Sequence, residues 1–217
     1  MNRPLLLGHR GARASRHISE NTLASFELCL QQGCDGFEFD VRRSADGVGV
    51  VCHDPVVRGM EIAKTLAADL ELATLEDVLR AFTARAFLDI ELKVSGLEAQ
   101  TVAALREHPP QKGYVVSSFL PDALRVFHDL DPGMPLGFLC EDRSQVELRR
   151  ELAVEWVIPH FESANRELIA KSHSAGKKVM VWTVNDSDAM RQFGEWGVDA
   201  IISDETEGLV QAFGRNS

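Results

Sequence analysis

Two carboxylates stand one residue apart in the run Gly36-Phe37-Glu38-Phe39-Asp40-Val41. In an extended strand alternate side chains share a face, so Glu38 and Asp40 point one way and Phe37, Phe39 and Val41 the other. A second run, Leu88-Asp89-Ile90-Glu91-Leu92-Lys93, places Glu91 and Lys93 on a common face. Acids side by side in a buried strand repel each other and lose hydration, a cost of several kcal/mol unless a cation compensates. An isolated acid in a strand usually faces water at a sheet edge. Two strands that break the same rule point instead to a functional site, where local inconsistency concentrates.

Glu38, Asp40 and Glu91 offer oxygen only, without accompanying Cys or paired His, a donor set that favours Mg²⁺ or Ca²⁺ over zinc. The charges agree. The three acids outweigh Arg10 and Lys93 by one, and a divalent cation brings the sum to one positive charge, suited to a phosphodiester with one negative charge. Arg10 and Lys93 can then hold the non-bridging oxygens and stabilise charge developing at phosphorus. His9 and His53 complete the set. One imidazole removes a proton from the nucleophile and the other gives one to the leaving oxygen. Trp182 is a candidate wall against an organic group. His17, His108, His128 and His173 read as structural or surface residues; His160 follows a strand and admits either reading, with the structural one favoured.

For these residues to meet, the elements must bring strand ends together. Strands are expected at 5–9, 36–42, 86–93, 114–118, 136–140, 156–159, 178–184 and 199–203. Helices fit at 21–32, from 74 onward, near 96–107, 121–130, 144–152, 165–175 and 186–195, and after Asp204. The run Val48-Gly49-Val50-Val51-Cys52 follows a turn at Ala45-Asp46-Gly47 too short for a parallel crossover. It should return antiparallel as a hairpin arm and bring His53 near Asp40. Residues 54–73 show less regular patterning. The later strands are continuously apolar, as expected when both faces are covered. Eight strand–helix units in this length predict an α/β fold, a (β/α)₈ barrel with a hairpin extension after the second strand. An open doubly wound sheet ranks second, because no Gly-rich phosphate loop follows the first strand. His9, Arg10, Glu38, Asp40, Glu91, Lys93 and Trp182 all fall at or near strand C-termini. In such a barrel those ends converge on one mouth.

The 217 residues, 45% hydrophobic, suit one domain over 1–217, with no linker-like stretch dividing them. Lys and Arg number 23 against 33 acids, and the net charge of −10 argues against a nucleic-acid partner. No apolar run approaches the roughly 20 residues that cross a bilayer, and the first residues lack a secretory pattern. Four cysteines, Cys29, Cys34, Cys52 and Cys140, sit among apolar neighbours and read as free thiols in a reducing compartment. A cytoplasmic protein with a small-molecule substrate and no membrane partner is expected.

The ordered set His9-Arg10-Gly11-Ala12, Glu20-Asn21-Thr22, Glu38-Phe39-Asp40-Val41, Asp46-Gly47, His53-Asp54, Glu91-Leu92-Lys93 and Val181-Trp182-Thr183-Val184-Asn185 resembles the glycerophosphodiester phosphodiesterases. The resemblance runs through nearly the whole chain. It implies a (β/α)₈ barrel, and metal-dependent hydrolysis of glycerophosphodiesters to glycerol 3-phosphate and an alcohol. By the same resemblance Glu38, Asp40 and Glu91 match metal ligands, His9 and His53 the acid–base pair, and Arg10 and Lys93 phosphate contacts. Glu20 matches an acid that supports the site or the metal. Three departures stand out. The stretch between Ala12 and Glu20 is longer than usual, with Ser19 where Pro is common. The insertion after His53-Asp54 is reduced. Ile202-Ser203-Asp204-Glu205 replaces Thr-Asp-aromatic-Pro. The rival readings are a lysophospholipase D-type activity on the same barrel, and a catalytically silent barrel that binds metal or phosphate esters.

Overall fold

The structure, a computed structural model, describes residues 3–142, 144–145 and 152–214. In its first half, β1 (Leu5–His9) is followed by α1 (Leu23–Gln32), β2 (Gly36–Arg43), β3 (Gly49–Val51), β4 (Val56–Val57), β5 (Met60–Glu61), α2 (Ala67–Leu70) and α3 (Leu75–Phe82). Then come β6 (Phe87–Leu92), α4 (Glu98–Glu107), β7 (Tyr114–Ser118), α5 (Pro121–Leu130), β8 (Leu136–Cys140) and β9 (Trp156–Pro159). The chain continues through α6 (Arg166–Ser174), β10 (Lys178–Val181), α7 (Ser187–Trp196), β11 (Ala200–Ser203) and α8 (Thr206–Phe213). The helix expected near 144–152 lies for the most part outside the described residues.

β1 pairs in parallel with β2 on one side and with β11 on the other, so the sheet closes on itself. β6 to β10 fill the circuit between them, every neighbour parallel. Closure removes the free edges an open sheet would present, and the result is the (β/α)₈ barrel that the sequence predicts. β3 runs antiparallel to β2, with Val41 opposite Val51 and Arg43 opposite Gly49, as the short turn requires. Where β2 meets β6 the backbones approach closely: a Cβ on Gly36 would lie 1.9 Å from the Phe87 carbonyl oxygen, so no other residue fits there.

The two faces of each strand have separate cores. Phe37 and Phe39 leave the barrel outward and pack under the helices; the Phe26 ring of α1 stacks on Phe37 at 4.2 Å, and Phe82 of α3 meets both edge-on. Leu7, Val115, Ile158, Met180 and Ala200 fill the interior below the mouth. Burying aromatic side chains of this size is the largest apolar contribution the layer can make. The opposite face of β2 is thereby committed to the interior, and Glu38 and Asp40 with it.

Three local details differ from the sequence reading. α1 begins at Leu23 rather than Asn21, because Asn21 is held in the left-handed region (φ 56°) and Thr22 takes the N-cap, accepting from the Ser25 N–H. The seventh barrel strand ends at Val181 rather than Val184; Trp182 keeps a single parallel bridge to His160, and its indole N–H donates to the Ile158 carbonyl at 3.0 Å. Residues 54–73 are more ordered than their patterning suggests. They form the β4–β5 ribbon, a 3₁₀ turn at Ile62–Lys64 and α2, and they bury Ile62 and Leu70 against Val50.

Candidate active site

Strand register assembles the acids. His9 is the Cα partner of Glu38 across β1–β2, and Asp40 that of Glu91 across β2–β6. One oxygen from each of Glu38, Asp40 and Glu91 lies within 4.8 Å of the other two, and all three side chains are buried. Asp40 is the deepest. Its Oδ2 accepts from Asn21 Nδ2 at 2.8 Å and lies 3.2 Å from Arg10 Nε, while Oδ1 lies 3.4 Å from Lys93 Nζ. Lys93 also reaches Glu91 Oε1 at 2.7 Å. Glu38 Oε2 accepts the Arg10 backbone N–H at 3.0 Å, but its buried Oε1 meets no donor among the described residues.

The electrostatics follow from that crowding. Burial drives the Glu38 carboxyl well above its usual range, and Asp40, Glu91 and Asp89 push the same way. Glu91 rises to about 7, through burial and then Asp40, partly offset by Lys93. Asp40 goes the other way: burial opposes ionisation, yet Lys93, Arg10 and the Asn21 hydrogen bond outweigh it and hold it low. At Glu38 and Glu91, burial and mutual repulsion thus outweigh the favourable contacts that would keep them ionised. The orphaned Glu38 oxygen and the all-oxygen donor set fit a hard divalent cation.

Arg10 owes its position to a tight turn. It sits at φ 53° and Gly11 at φ 82°, and a Cβ on Gly11 would fall 2.4 Å from Ser25 Oγ. The Arg10 carbonyl accepts from the Asn21 N–H and Ser25 Oγ. Its guanidinium donates to Glu20 Oε1 at 2.7 Å. Glu20 therefore holds an arginine, and a second, Arg13, whose Nε donates to Glu20 Oε2 at 2.6 Å.

The histidines arrive from separate elements. His9 ends β1; its Nδ1 is 2.7 Å from Asp204 Oδ1 and its Nε2 is 3.8 Å from Glu38 Oε2. His53 comes back on the hairpin arm, where the Cys52 N–H donates to the Asp40 carbonyl at 3.0 Å. Arg42 Nε anchors the His53 carbonyl at 2.6 Å, and His53 Nδ1 pairs with Asp54 at 2.7 Å.

His9, Arg10, Glu38, His53, Glu91 and Lys93 line one pocket at the mouth. Asp40 lies beneath it. Phe119, Leu139, Trp182 and Ile202 make an apolar wall, with Glu141 on the same lining. The Trp182 ring meets Phe119 edge-on at 5.5 Å and His160 at 5.2 Å. Every candidate residue from the sequence is therefore at this mouth, and His160 packs behind Trp182.

Sequence reasoning missed four participants. Asp204 directly follows β11 and so stands at the mouth by position alone, a signal that was readable. Asn21, whose amide holds Asp40, is revealed by its left-handed backbone, which no spacing rule announces. Phe119 follows β7 in the same way that Asp204 follows β11. Asp89 lies one layer below Glu91, fully buried, accepting from Ser117 Oγ at 2.6 Å; burial lifts its carboxyl to about 7. Of the cysteines, Cys29, Cys34 and Cys140 are buried, whereas Cys52 is only half-buried. Among the described residues no helix is long and apolar enough to cross a membrane.

The sequence matches the model of the glycerophosphoryl diester phosphodiesterase family over residues 9–109 and 89–208. It is 28% identical to a glycerophosphodiester phosphodiesterase of Caldanaerobacter subterraneus subsp. tengcongensis, over 95% of this chain and 96% of that protein. A Bacillus subtilis glycerophosphodiester phosphodiesterase is 26% identical over 93% of this chain and 84% of its own. Among solved structures, an Oleispira antarctica phosphodiesterase in complex with its product sn-glycerol-3-phosphate superposes with a TM-score of 0.87, at 28% identity, over 97% of each chain.

Proposed function

The chain belongs to the glycerophosphoryl diester phosphodiesterase family, and we propose that it hydrolyses small glycerophosphodiesters to glycerol 3-phosphate and an alcohol. The observation that carries this reading is the meeting of Glu38, Asp40 and Glu91 with His9, His53, Arg10 and Lys93 at one barrel mouth. The relatives named for the same reaction, and the product bound in the Oleispira enzyme, support it.

Glu38, Asp40 and Glu91 would hold a divalent cation, Mg²⁺ or Ca²⁺. When bound, such a cation neutralises the buried acids and withdraws electrons from a phosphoryl oxygen. The chain's own residues supply the rest. Arg10 is pinned by Glu20 and Asp40, and Lys93 by Glu91 and Asp40, so both present their charge to non-bridging oxygens without first having to be ordered. His9 and His53 divide the proton transfers to and from the nucleophile and leaving oxygens. Trp182 packs the organic portion from the apolar wall. Residues 1–217 act as one catalytic domain in the breakdown of deacylated phospholipid. The thiols of Cys29, Cys34 and Cys52 fit a reducing, cytoplasmic setting.

The test is an assay of glycerol 3-phosphate release against a panel of headgroups, with and without chelator. Release from glycerophosphocholine that vanishes on chelation is expected. Absence of release from every glycerophosphodiester, with metal present, would remove the reading.

A further inference from the structure

We propose that Asp204 is the positioning residue for His9, holding the ring in its Nδ1–H form so that Nε2 is the nitrogen that exchanges a proton with substrate. This role rests on the reading of His9 as half of the proton-transfer pair.

The geometry begins with β11, which pairs with β1 so that Gly8 and Ser203 are Cα partners. The next residues along the chain are His9, which ends β1, and Asp204, just past the end of β11, and their side chains meet, Nδ1 to Oδ1, at 2.7 Å. Asp204 is itself fixed. Its Oδ2 accepts from Asn185 Nδ2 at 2.9 Å, and its own N–H donates to Asn185 Oδ1 at 2.9 Å. Asn185 Oδ1 also takes the Ser203 hydroxyl at 3.1 Å. Arg13 Nη1 adds a third donor, reaching Asp204 Oδ1 at 3.1 Å. Burial works against the charge, but the bonds from His9, Asn185 and Arg13 outweigh it and hold the carboxyl well below the usual range. An ionised carboxylate can only accept, so Nδ1 must be the donor and Nε2 carries the lone pair.

That lone pair points where it is useful. Nε2 is 3.8 Å from Glu38 Oε2, on the lining of the pocket. When Nε2 takes a proton, the ring becomes imidazolium and keeps its Nδ1–H bond to Asp204. The carboxylate then faces a full positive charge without having to move. The second histidine also meets a carboxylate through Nδ1, but at the surface. The carboxylate of Asp54, its chain neighbour, is 74% exposed, and His53 itself is 34% exposed. Arg13 extends the frame, since it ties Asp204 to Glu20, which in turn holds Arg10. One network therefore orients a proton-transfer nitrogen and a phosphate-binding guanidinium together. Arg13 comes from the stretch between Ala12 and Glu20, the segment of unusual length in this chain.

The experiment compares Asp204→Asn and Asp204→Glu with wild type, as metal-loaded full-length protein. Nitrogen-15 NMR of the imidazole, with the His9 signal assigned by its loss in His9→Gln, should show Nε2 unprotonated in neutral wild-type His9. Asp204→Asn should lose that preference and lower kcat by about 10- to 100-fold, the scale for an orienting partner. KM and cation affinity should stay within about a factor of two, and Asp204→Glu should recover part of the lost kcat. A wild-type His9 protonated at Nε2, or an Asp204→Asn protein with wild-type kcat, would overturn the proposal. So would a loss of turnover that follows loss of folded protein or bound cation while the tautomer is unchanged. Should wild type release no glycerol 3-phosphate at all, the phosphodiesterase reading fails instead, and the NMR result alone still decides what Asp204 holds.

Discussion

Asp40 and Glu91 face each other residue for residue across the β2–β6 ladder, and they share the Lys93 ammonium, at 3.4 Å from the first and 2.7 Å from the second. Neighbouring strands lie about 4.8 Å apart, so two carboxylates at matched register cannot separate to relieve their repulsion. Glu38, on the same face of β2, adds a third. The fold has thus concentrated acid at a place from which it cannot retreat.

Removing metal should therefore abolish activity, and Mg²⁺ or Ca²⁺ should restore it. Glu38→Gln, Asp40→Asn and Glu91→Gln should each weaken cation binding measured by titration calorimetry. Asp40→Asn should be the most damaging, because it also removes one of the two carboxylates that pin Arg10 and one of the two that pin Lys93. Full turnover in a chelator-stripped, metal-free sample would end the metal assignment.

Cation affinity should rise with pH through neutrality. Glu91 without metal titrates at about 7 and Glu38 well above the usual carboxylate range, so at lower pH the cation must displace protons. Binding isotherms from pH 6 to 8 should tighten steadily and release protons to the buffer. Affinity that is flat across this span would mean the acids are already ionised without metal.

Much of this site was legible in the residues because the chemistry breaks the strand pattern. Glu38, Asp40 and Glu91 violate the apolar rule of parallel strands, and the barrel topology sends His9, Lys93 and Trp182 to the same end. The hairpin that returns His53 followed from a turn too short for a crossover. What the residues did not disclose are partnerships set by register and backbone conformation. That His9 meets Asp204 depends on Gly8 pairing with Ser203 around the closed barrel. Asn21 reaches Asp40 only because its backbone is left-handed. The β4–β5 ribbon was illegible for another reason: its strands are two residues long, too short to show alternation.

Replacing His9 or His53 with Ala should cost about 10²- to 10⁴-fold in kcat, the usual contribution of a positioned proton-transfer group. Both rings face the pocket rather than the packed layers, so the fold should survive, as far-UV circular dichroism would show. A folded His53→Ala protein with wild-type turnover would take His53 out of the mechanism.

Asp89→Asn should stabilise the protein. The folded carboxyl titrates at about 7 against an ordinary value of 3.8, so between those values the folded chain binds more protons than the unfolded one. Stability is accordingly lost as pH rises through that window. Asparagine keeps an acceptor for Ser117 Oγ and cannot ionise, so its advantage over wild type should grow from about pH 4 to about pH 7 and then level off. Urea unfolding in chelator at several pH values measures this. A variant less stable than wild type at pH 8 would show that the buried carboxylate is compensated by something other than a proton.

Substrate choice should favour water-soluble diesters over lipids. The segment after His53 is short, and it turns its bulky residues Ile62 and Leu70 inward against Val50. It leaves only single apolar side chains outside, Val56 at 47% and Leu66 at 51% exposure, which is ordinary for a protein surface and not a patch for a membrane or micelle. The recognised part would then be the glycerol phosphate, gripped by Arg10, Lys93 and a bound cation, with Trp182 and Phe119 alongside. Small headgroups such as choline, ethanolamine and glycerol should all be accepted, with kcat/KM values within about tenfold of one another, since a contact worth about 1.4 kcal/mol is needed for more. Long-chain lysophosphatidylcholine should be much poorer than glycerophosphocholine, because the segment after His53 offers its acyl chain only isolated apolar side chains. The comparison is kcat/KM for these two substrates, with the lipid below its micellar concentration. A clear preference for the lipid would overturn the substrate assignment and move the activity to the lysophospholipase D type, while leaving the carboxylate and histidine roles as they stand.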